Sequence, residues 1–325
     1  MVRVMNRKKI VSPRRLVVMI GIVALLAVFL LGTEGLAAPS KSSKQLTFAT
    51  PEEAARVLAD AARAKDTKAM IAIFGPEGKG VIVSGDEAVN KDLFERFVKA
   101  FQERNRLDMS TDNKAFLYVG NNEWPFPVPM VKKGDRWSFD TKDGKTEILH
   151  RRIGRNELSA VQACLAYVDA QKDYARMAGD KDGTTRYARK FMSDPGIRNG
   201  MYWETKEGEE PSPLGLFMAR ARKEVREPKM TGGKPVPYHG YFYRILTAQG
   251  KNAPGGAYNY IVGDRMTGGF ALVAWPAQYG VTGVMTFIVN HDGVVYEKNL
   301  GKVTGKAVYH MKAFDPDDSW KRVKQ

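Results

Sequence analysis

The chain has 325 residues, 43% of them hydrophobic and 27% charged, so it can build packed cores and lies far from the composition of a disordered polypeptide. Its formal charge is +15; Arg3, Arg7, Lys8, Lys9, Arg14 and Arg15 against Glu34 account for five of these charges, leaving +10 on a chain that begins at Ala38. So basic a balance favours anionic partners such as phospholipid headgroups, acidic surface polymers or nucleic acid, and the single cysteine, Cys164, excludes an intramolecular disulfide.

The N-terminus carries the clearest local signal. A basic stretch, RKKIVSPRR (7–15), precedes an unbroken apolar run, LVVMIGIVALLAVFLLG (16–32), and small residues come next, with Gly35 and Ala37 at the −3 and −1 positions of a cleavage site. Residues 1–37 read as a signal peptide; the run is long for a leader and short for a spanning helix, so an uncleaved signal anchor at 16–32 is the alternative. In either case the basic flank predicts a cytoplasmic start and export of the remaining polypeptide, to the periplasm or beyond. Export also removes nucleic acid from the expected partners.

Residues 38–48, APSKSSKQLTF, are small and polar and read as a linker to a first domain over 49–150. Thr50, Pro51 and Glu53 make an N-cap, a first-turn proline and a capping box, followed by an apolar stripe of Ala54, Val57, Leu58, Ala61 and Ala62. Asp66 starts a short second helix through Met70, Ile71 and Phe74. KDLFERFVKAFQER gives another, with Leu93, Phe94, Phe97, Val98 and Phe101 inward. KAFLYVG and RWSFDT alternate as half-buried strands, VPMVKKGDRWSF turns back at Gly134-Asp135, and the three prolines of NNEWPFPVP confine that segment to a sheet edge.

A second domain is expected over 151–322. Asn156 is a strong N-cap with Glu157 in the first turn, and Leu158, Val161, Leu165 and Val168 repeat at helical spacing to about Ala178. Residues 183–237 are rich in turn formers, interrupted by one short helix, LGLFMARARKE. Strands then come in YHGYFYRILTA, GGFALVAWPA, VMTFIVN and VVYEKNL, the last two joined through Asp292-Gly293. The tail FDPDDSWKRVKQ is expected to be exposed. The fold class is therefore α+β: N-terminal helices with a curved antiparallel sheet, then a long helix, an irregular loop and an antiparallel meander.

Three resemblances attach to these segments. PEEAARVLADAARAKD, VGNNEWPFPVPMVKKGDRWSFDTKDG, RRIGRNE, AQKDYA and YGVTGVMTF, in this order over about 48–322, resemble a bacterial domain-of-unknown-function family, number 2950. That resemblance implies exported proteins and carries over no catalytic residue. The element order of 49–150 is similar to the cone-shaped nuclear-transport-factor-like fold. The helix and meander of 156–300 look like type IV pilin and pseudopilin heads, although the apolar run lacks the glycine-then-aromatic processing site and the early glutamate of those proteins.

Candidate chemistry is sparse. Arg151, Arg152, Arg155 and Glu157 could bind an anion at the helix start through guanidinium forks and free backbone N–H groups; alternatively Asn156 merely caps the helix and the arginines pair with acidic residues of the first domain. Cys164, beside apolar residues in a helix interior, reads as an inert small hydrophobe. His150, His239, His291 and His310 lack metal-ligand spacing. Glu207, Glu209 and Glu210, and Asp315, Asp317 and Asp318, suit calcium chemically but lack the spacing of a known loop, so solvated turns are expected. YHGYFYRI with Trp124, Trp203 and Trp275 offers aromatics for stacking a ligand, with core packing the plainer reading. No GxSxG, SxxK, HExxH or P-loop pattern occurs. The expected protein is an exported envelope binding or assembly module without metal or organic cofactor. Its partners would be a protein of a pilus-like or secretion machine, or an anionic polymer or membrane surface. The alternative is a hydrolase of a cell-wall or extracellular polymer.

Overall fold

The computed structural model describes residues 44–82, 87–178, 185–215 and 236–324. The leader, the apolar run at 16–32 and nearly all of LGLFMARARKE lie outside the described residues. Among the described residues no helix is long and apolar enough to cross a membrane.

The first helices start as their caps dictate. Helix α1 (Pro51–Arg63) is capped by Thr50 Oγ1, which accepts from Glu53 N–H at 3.2 Å, while the Glu53 carboxylate reaches back to Ala49 N–H at 2.7 Å. Helix α2 (Thr67–Phe74) begins at Asp66, whose carboxylate accepts from the N–H groups of Lys68 and Ala69. A short α3 (Lys79–Ile82) and the longer α4 (Glu87–Glu103) come next. Phe94 of α4 is buried and Phe97, Val98 and Phe101 pack on the core, but Leu93 stays 46% exposed, one step off the inward face.

These helices cover an antiparallel sheet of β1 (Asn105–Thr111), β2 (Lys114–Val119), β3 (Trp124–Pro125), β4 (Met130–Lys133) and β5 (Arg136–Phe139), ordered β1-β2-β4-β5 with β3 beside β2. Lys133 pairs with Arg136, leaving Gly134 and Asp135 as a two-residue turn in which only Gly134 needs a positive φ, 59°. Phe48 exchanges backbone hydrogen bonds with Trp137, so the end of the expected linker is already structured. Phe74, Phe126 and Phe139 meet at 5.1–6.3 Å between ring centres; a fully buried phenylalanine contributes about 1.5–3 kcal/mol.

Helix α5 (Thr141–Ala178) is the spine of the molecule, 38 residues and about 57 Å long at 1.5 Å per residue. Its length corrects the expected helix start at Asn156. Asp140 is the actual cap, accepting from Asp143 N–H at 3.0 Å, and the Thr141 hydroxyl donates to Phe74 O at 2.6 Å. No proline interrupts 141–178, Gly144 lets the helix pass Val128, and a helical Gly154 in open space costs only about 1 kcal/mol. The buried face of its second half is Ala160, Cys164, Tyr167, Gln171 and Tyr174, spaced four and three. Leu158, expected inside, is 71% exposed. The helix runs straight through residue 150, the expected boundary between domains, and passes from one apolar core (48–139) to a second (160–314).

The second core is closed by an antiparallel meander of β6 (Tyr241–Leu246), β11 (Ala271–Pro276), β12 (Thr286–Asn290), β13 (Tyr296–Lys298) and β15 (Lys321–Arg322), adjacent in that order. Between β6 and β11 come β7 (Ala248–Gln249), β8 (Tyr258–Asn259), β9 (Ile261–Val262) and β10 (Arg265–Met266). Helix α6 (Thr304–His310) and β14 (Ala313–Phe314) come after β13, and β14 joins β7 in parallel. Strands β11 and β12 are almost wholly buried beneath α5, as continuous apolar strands should be. The Arg244 guanidinium donates to the carbonyls of Val308 and Met311 at the end of α6, where a cation meets the negative end of the helix. The tail is exposed at residues 317–319, 321, 322 and 324, as expected, but it is anchored at several points. Phe314 is fully buried, Trp320 packs on the core, and β15 pairs with β13 because Val323 N–H finds the carbonyl of Val295.

Candidate functional site

The four residues expected to bind an anion together do not share a pocket. Arg151 is committed to its own neighbourhood: it donates to Glu147 at 2.7 Å and to Pro125 O at 2.7 Å, and its guanidinium lies 5.3 Å from the Trp124 ring centre. Arg152 and Arg155 are exposed and, among the described residues, make no ion pair. All four sit in the interior of α5, where backbone N–H groups are already spent within the helix, so the helix-start premise is absent.

Glu157 and its neighbour Asn156 instead face the meander. Glu157 accepts from Val284 N–H at 2.8 Å and Met285 N–H at 3.0 Å, and Asn156 donates to Thr282 O at 2.8 Å. The approach is close. A Cβ on Gly240 would lie 2.8 Å from Asn156 Nδ2, and one on Gly283 would lie 2.1 Å from the Tyr241 hydroxyl. Tyr241 is buried and donates to Met285 O at 2.9 Å; desolvation, then the Glu157 charge, raises its pKa. Glu297 is also raised, first by burial and then by Glu157. This is a dense joint, and it holds structure together.

A cavity lies toward the C-terminal end of α5, beside Tyr174. A cleft of about 510 Å³ is lined by Tyr174, Arg186, Tyr187, Arg189, Lys190, Asn199, Asp264, Arg265 and Met266. Four of these are cationic and one is acidic. The acidic side chain, Asp264, is 95% exposed and stands 3.9 Å from Arg265 Nε, while its backbone carbonyl accepts from the Arg189 guanidinium at 3.0 Å. Arg189 is thus positioned by a neutral acceptor and, among the described residues, makes no ion pair. Lys190 pairs with Asp194 at 2.6 Å, and Lys190 together with Asn199 holds the Asp194 carboxyl below its ordinary value. Tyr187 is fixed by an edge contact with Phe270 at 4.9 Å and by donating its backbone N–H to Met266 O. Sequence spacing does not single out these cations, because they lie up to 79 positions apart, on an irregular loop (186–190) and on a hairpin whose two-residue turn immediately precedes Arg265.

Residues 45–323 match the family described as "Protein of unknown function (DUF2950)". The chain belongs to DUF2950. The DUF2950 match spans the joint and the cleft alike, and the RRIGRNE and YGVTGVMTF segments within it are the two that Asn156 and Glu157 bring into contact. No curated protein and no solved structure matches the chain.

The remaining candidates in this DUF2950 chain have structural work. Cys164 is fully buried and its thiol is pushed up to about 12 by desolvation, which leaves it without thiolate at neutral pH. Asp315 accepts from Asn252 N–H and Asp317 from Ser319 N–H, Glu209 lies 3.9 Å from Arg198, and among the described residues no three His, Cys, Asp or Glu side chains are grouped to hold a metal. Trp203 and Trp275 pack on the second core; Trp124, 42% exposed, lies beneath Arg151. Gln171 carries no signal in the sequence, yet it is fully buried and ties α5 to the loop, bonding the N–H and carbonyl of Ala188 at 2.8 Å each.

Proposed function

We propose that this DUF2950 protein is an exported component of the bacterial envelope and works as a binding module that takes an anionic ligand in the cleft beside Arg186, Arg189, Lys190 and Arg265. The cleft carries the reading: among the described residues four cations line one concavity against one carboxylate, Asp264, whose side chain is 95% exposed. Charges held in a concave, low-dielectric wall focus the field on whatever enters, and guanidinium groups suit phosphate and carboxylate acceptors. The +10 balance of a chain starting at Ala38 and the basic-then-apolar N-terminus support the exported, anion-seeking part of the reading. The hydrolase alternative draws less support, because among the described residues the lining holds one carboxylate and no histidine or cysteine, whereas hydrolysis calls for converging titratable groups.

The test is anisotropy titration of fluorescent polyphosphate and of a neutral glucan with the purified full-length chain. Polyphosphate should bind, weaken as salt rises, and bind about tenfold or more weakly to the Arg189→Ala/Arg265→Ala chain. Equal binding by the double variant would remove the cleft from the function. Sequencing the N-terminus of the envelope-derived protein tests export and cleavage together.

A further inference from the structure

We infer that the anion this cleft takes is the phosphate of a membrane phospholipid, and that two aliphatic turn tips beside the cleft enter the edge of the bilayer as it docks. The inference rests on the reading of the cleft as an anion site and adds where the anion comes from.

Two tight turns adjoin lining residues of the cleft, one lying between Lys190 and Asn199 and the other containing Asp264 and Arg265. In the first, Ile197 N–H donates to Asp194 O at 3.0 Å across Pro195 and Gly196, and Gly196 takes φ 74°, the proline-then-glycine arrangement of a type II turn. In the second, β9 and β10 pair with Val262 opposite Arg265, so Gly263 and Asp264 make the turn and Gly263 takes φ 61°. Directly opposed residues of an antiparallel pair put their side chains on the same face. Val262 therefore stands on the face of the hairpin from which Arg265 lines the cleft.

Both turns present aliphatic side chains to solvent. Ile197 is 57% exposed, Val262 is 63% exposed, and Met192, between Lys190 and Asp194, is 50% exposed. Turn chemistry is met at the central positions by Pro195, Gly196, Gly263 and Asp264, and the exposed aliphatics flank them. A single exposed aliphatic needs no explanation. Three of them close in the chain to Arg189, Lys190 and Arg265, on and just before two short turns, make a mixed surface, basic and apolar, of the kind that binds anionic lipid interfaces. A soluble polyanion would engage the cations and leave the aliphatics in water.

The turns are also held rigid. Arg189 bonds the second turn's carbonyl at 3.0 Å, and Asn199 holds Asp194 by two hydrogen bonds, accepting from its N–H at 2.9 Å and donating to its carboxylate at 2.7 Å. A preformed platform loses little conformational freedom on docking.

The experiment places an environment-sensitive dye on the tips themselves, so that insertion of the N-terminal apolar run cannot mimic the result. Cys164 is buried, so a Val262→Cys or Ile197→Cys chain carries one accessible thiol for nitrobenzoxadiazole. The labelled full-length protein is mixed with phosphatidylglycerol vesicles, with phosphatidylcholine vesicles, and with glycerol phosphate in solution. The inference expects a blue shift of the dye on phosphatidylglycerol only, reversal by high salt, and partition weakened about fivefold for each cation removed in the Arg189→Ala/Arg265→Ala background. Flotation with vesicles without a dye shift at either tip would overturn it, as would an equal shift on phosphatidylcholine. Polyphosphate binding without a shift would sink the lipid assignment and leave the anion reading standing. Failure of polyphosphate, glycerol phosphate and vesicles alike would sink both.

Discussion

The Glu157 carboxylate accepts hydrogen bonds from two successive backbone N–H groups, Val284 at 2.8 Å and Met285 at 3.0 Å, fastening the middle of a 38-residue helix to the segment that leads into β12. Truncation would strand both donors in a half-buried place. Glu157→Ala is expected to cost about 2–3 kcal/mol and Asn156→Ala about 1 kcal/mol, while Glu157→Gln, which keeps an acceptor oxygen without the charge, should fall between zero and the alanine value. Urea unfolding of the three variants checks the order. An unchanged midpoint for Glu157→Ala would mean that α5 is held to the meander by its apolar face alone.

Close approach at the same joint can be separated from backbone conformation with a pair of glycines. A methyl group at Gly283 would meet the buried Tyr241 ring and hydroxyl at 2.1–2.6 Å, whereas Gly280, at φ 73°, has nothing within 4 Å. Gly280→Ala should cost about 1–2 kcal/mol, the strain of a left-handed residue. Gly283→Ala should cost about 3 kcal/mol or more, since the buried ring has to move. Thermal melts that rank the two equally would refute the steric reading.

Cys164 offers a probe of the second core. It lies fully buried on the face of α5 that packs against the meander, with its thiol raised to about 12. Native protein should resist a thiol reagent at pH 8 and react fully in denaturant. The reaction rate should track the stability of the Glu157 variants, because opening of that core is the only route to the thiol. Rapid labelling of the native chain would contradict the burial.

Much of the fold was legible. Thr50 and Asp66 announced their helices, Gly134-Asp135 its hairpin, and the apolar runs of β11 and β12 their burial, because each is written in adjacent residues. The features that escaped were set at a distance. Strand β1 has only Leu107 and Met109 as apolar residues and no buried position, so its register comes from β2. Asn156 looked like a cap because Asn, Glu and an apolar repeat coincide there, while the actual start depends on Asp140 and on Gly144 passing Val128. The tail became a strand because β13 offered an edge. The arginines that looked like a site were conspicuous by clustering in sequence, and the cations that line the cleft were scattered over 186–265; concavity is a tertiary property that no local spacing encodes.

The joint also makes stability depend on pH with a definite sign. Glu297 sits on β13, half-buried, and burial followed by the nearby Glu157 charge raises its carboxyl above the ordinary value of 4.5, with Lys321 opposing. A carboxyl raised on folding is neutral more readily in the folded chain than in the unfolded one. Its contribution is therefore fully present below pH 4.5 and is lost as pH rises through the folded value. Glu297→Gln, uncharged at every pH, should escape that loss. Its unfolding midpoint is expected to equal that of the parent at pH 4 and to exceed it at pH 7, whereas Lys321→Ala, which removes the opposing cation, should lower the midpoint at pH 7 and leave it unchanged at pH 4. Urea titrations of the three chains at both values decide it, and a Glu297→Gln gap that does not grow with pH would show that the carboxylate at this joint is fully hydrated.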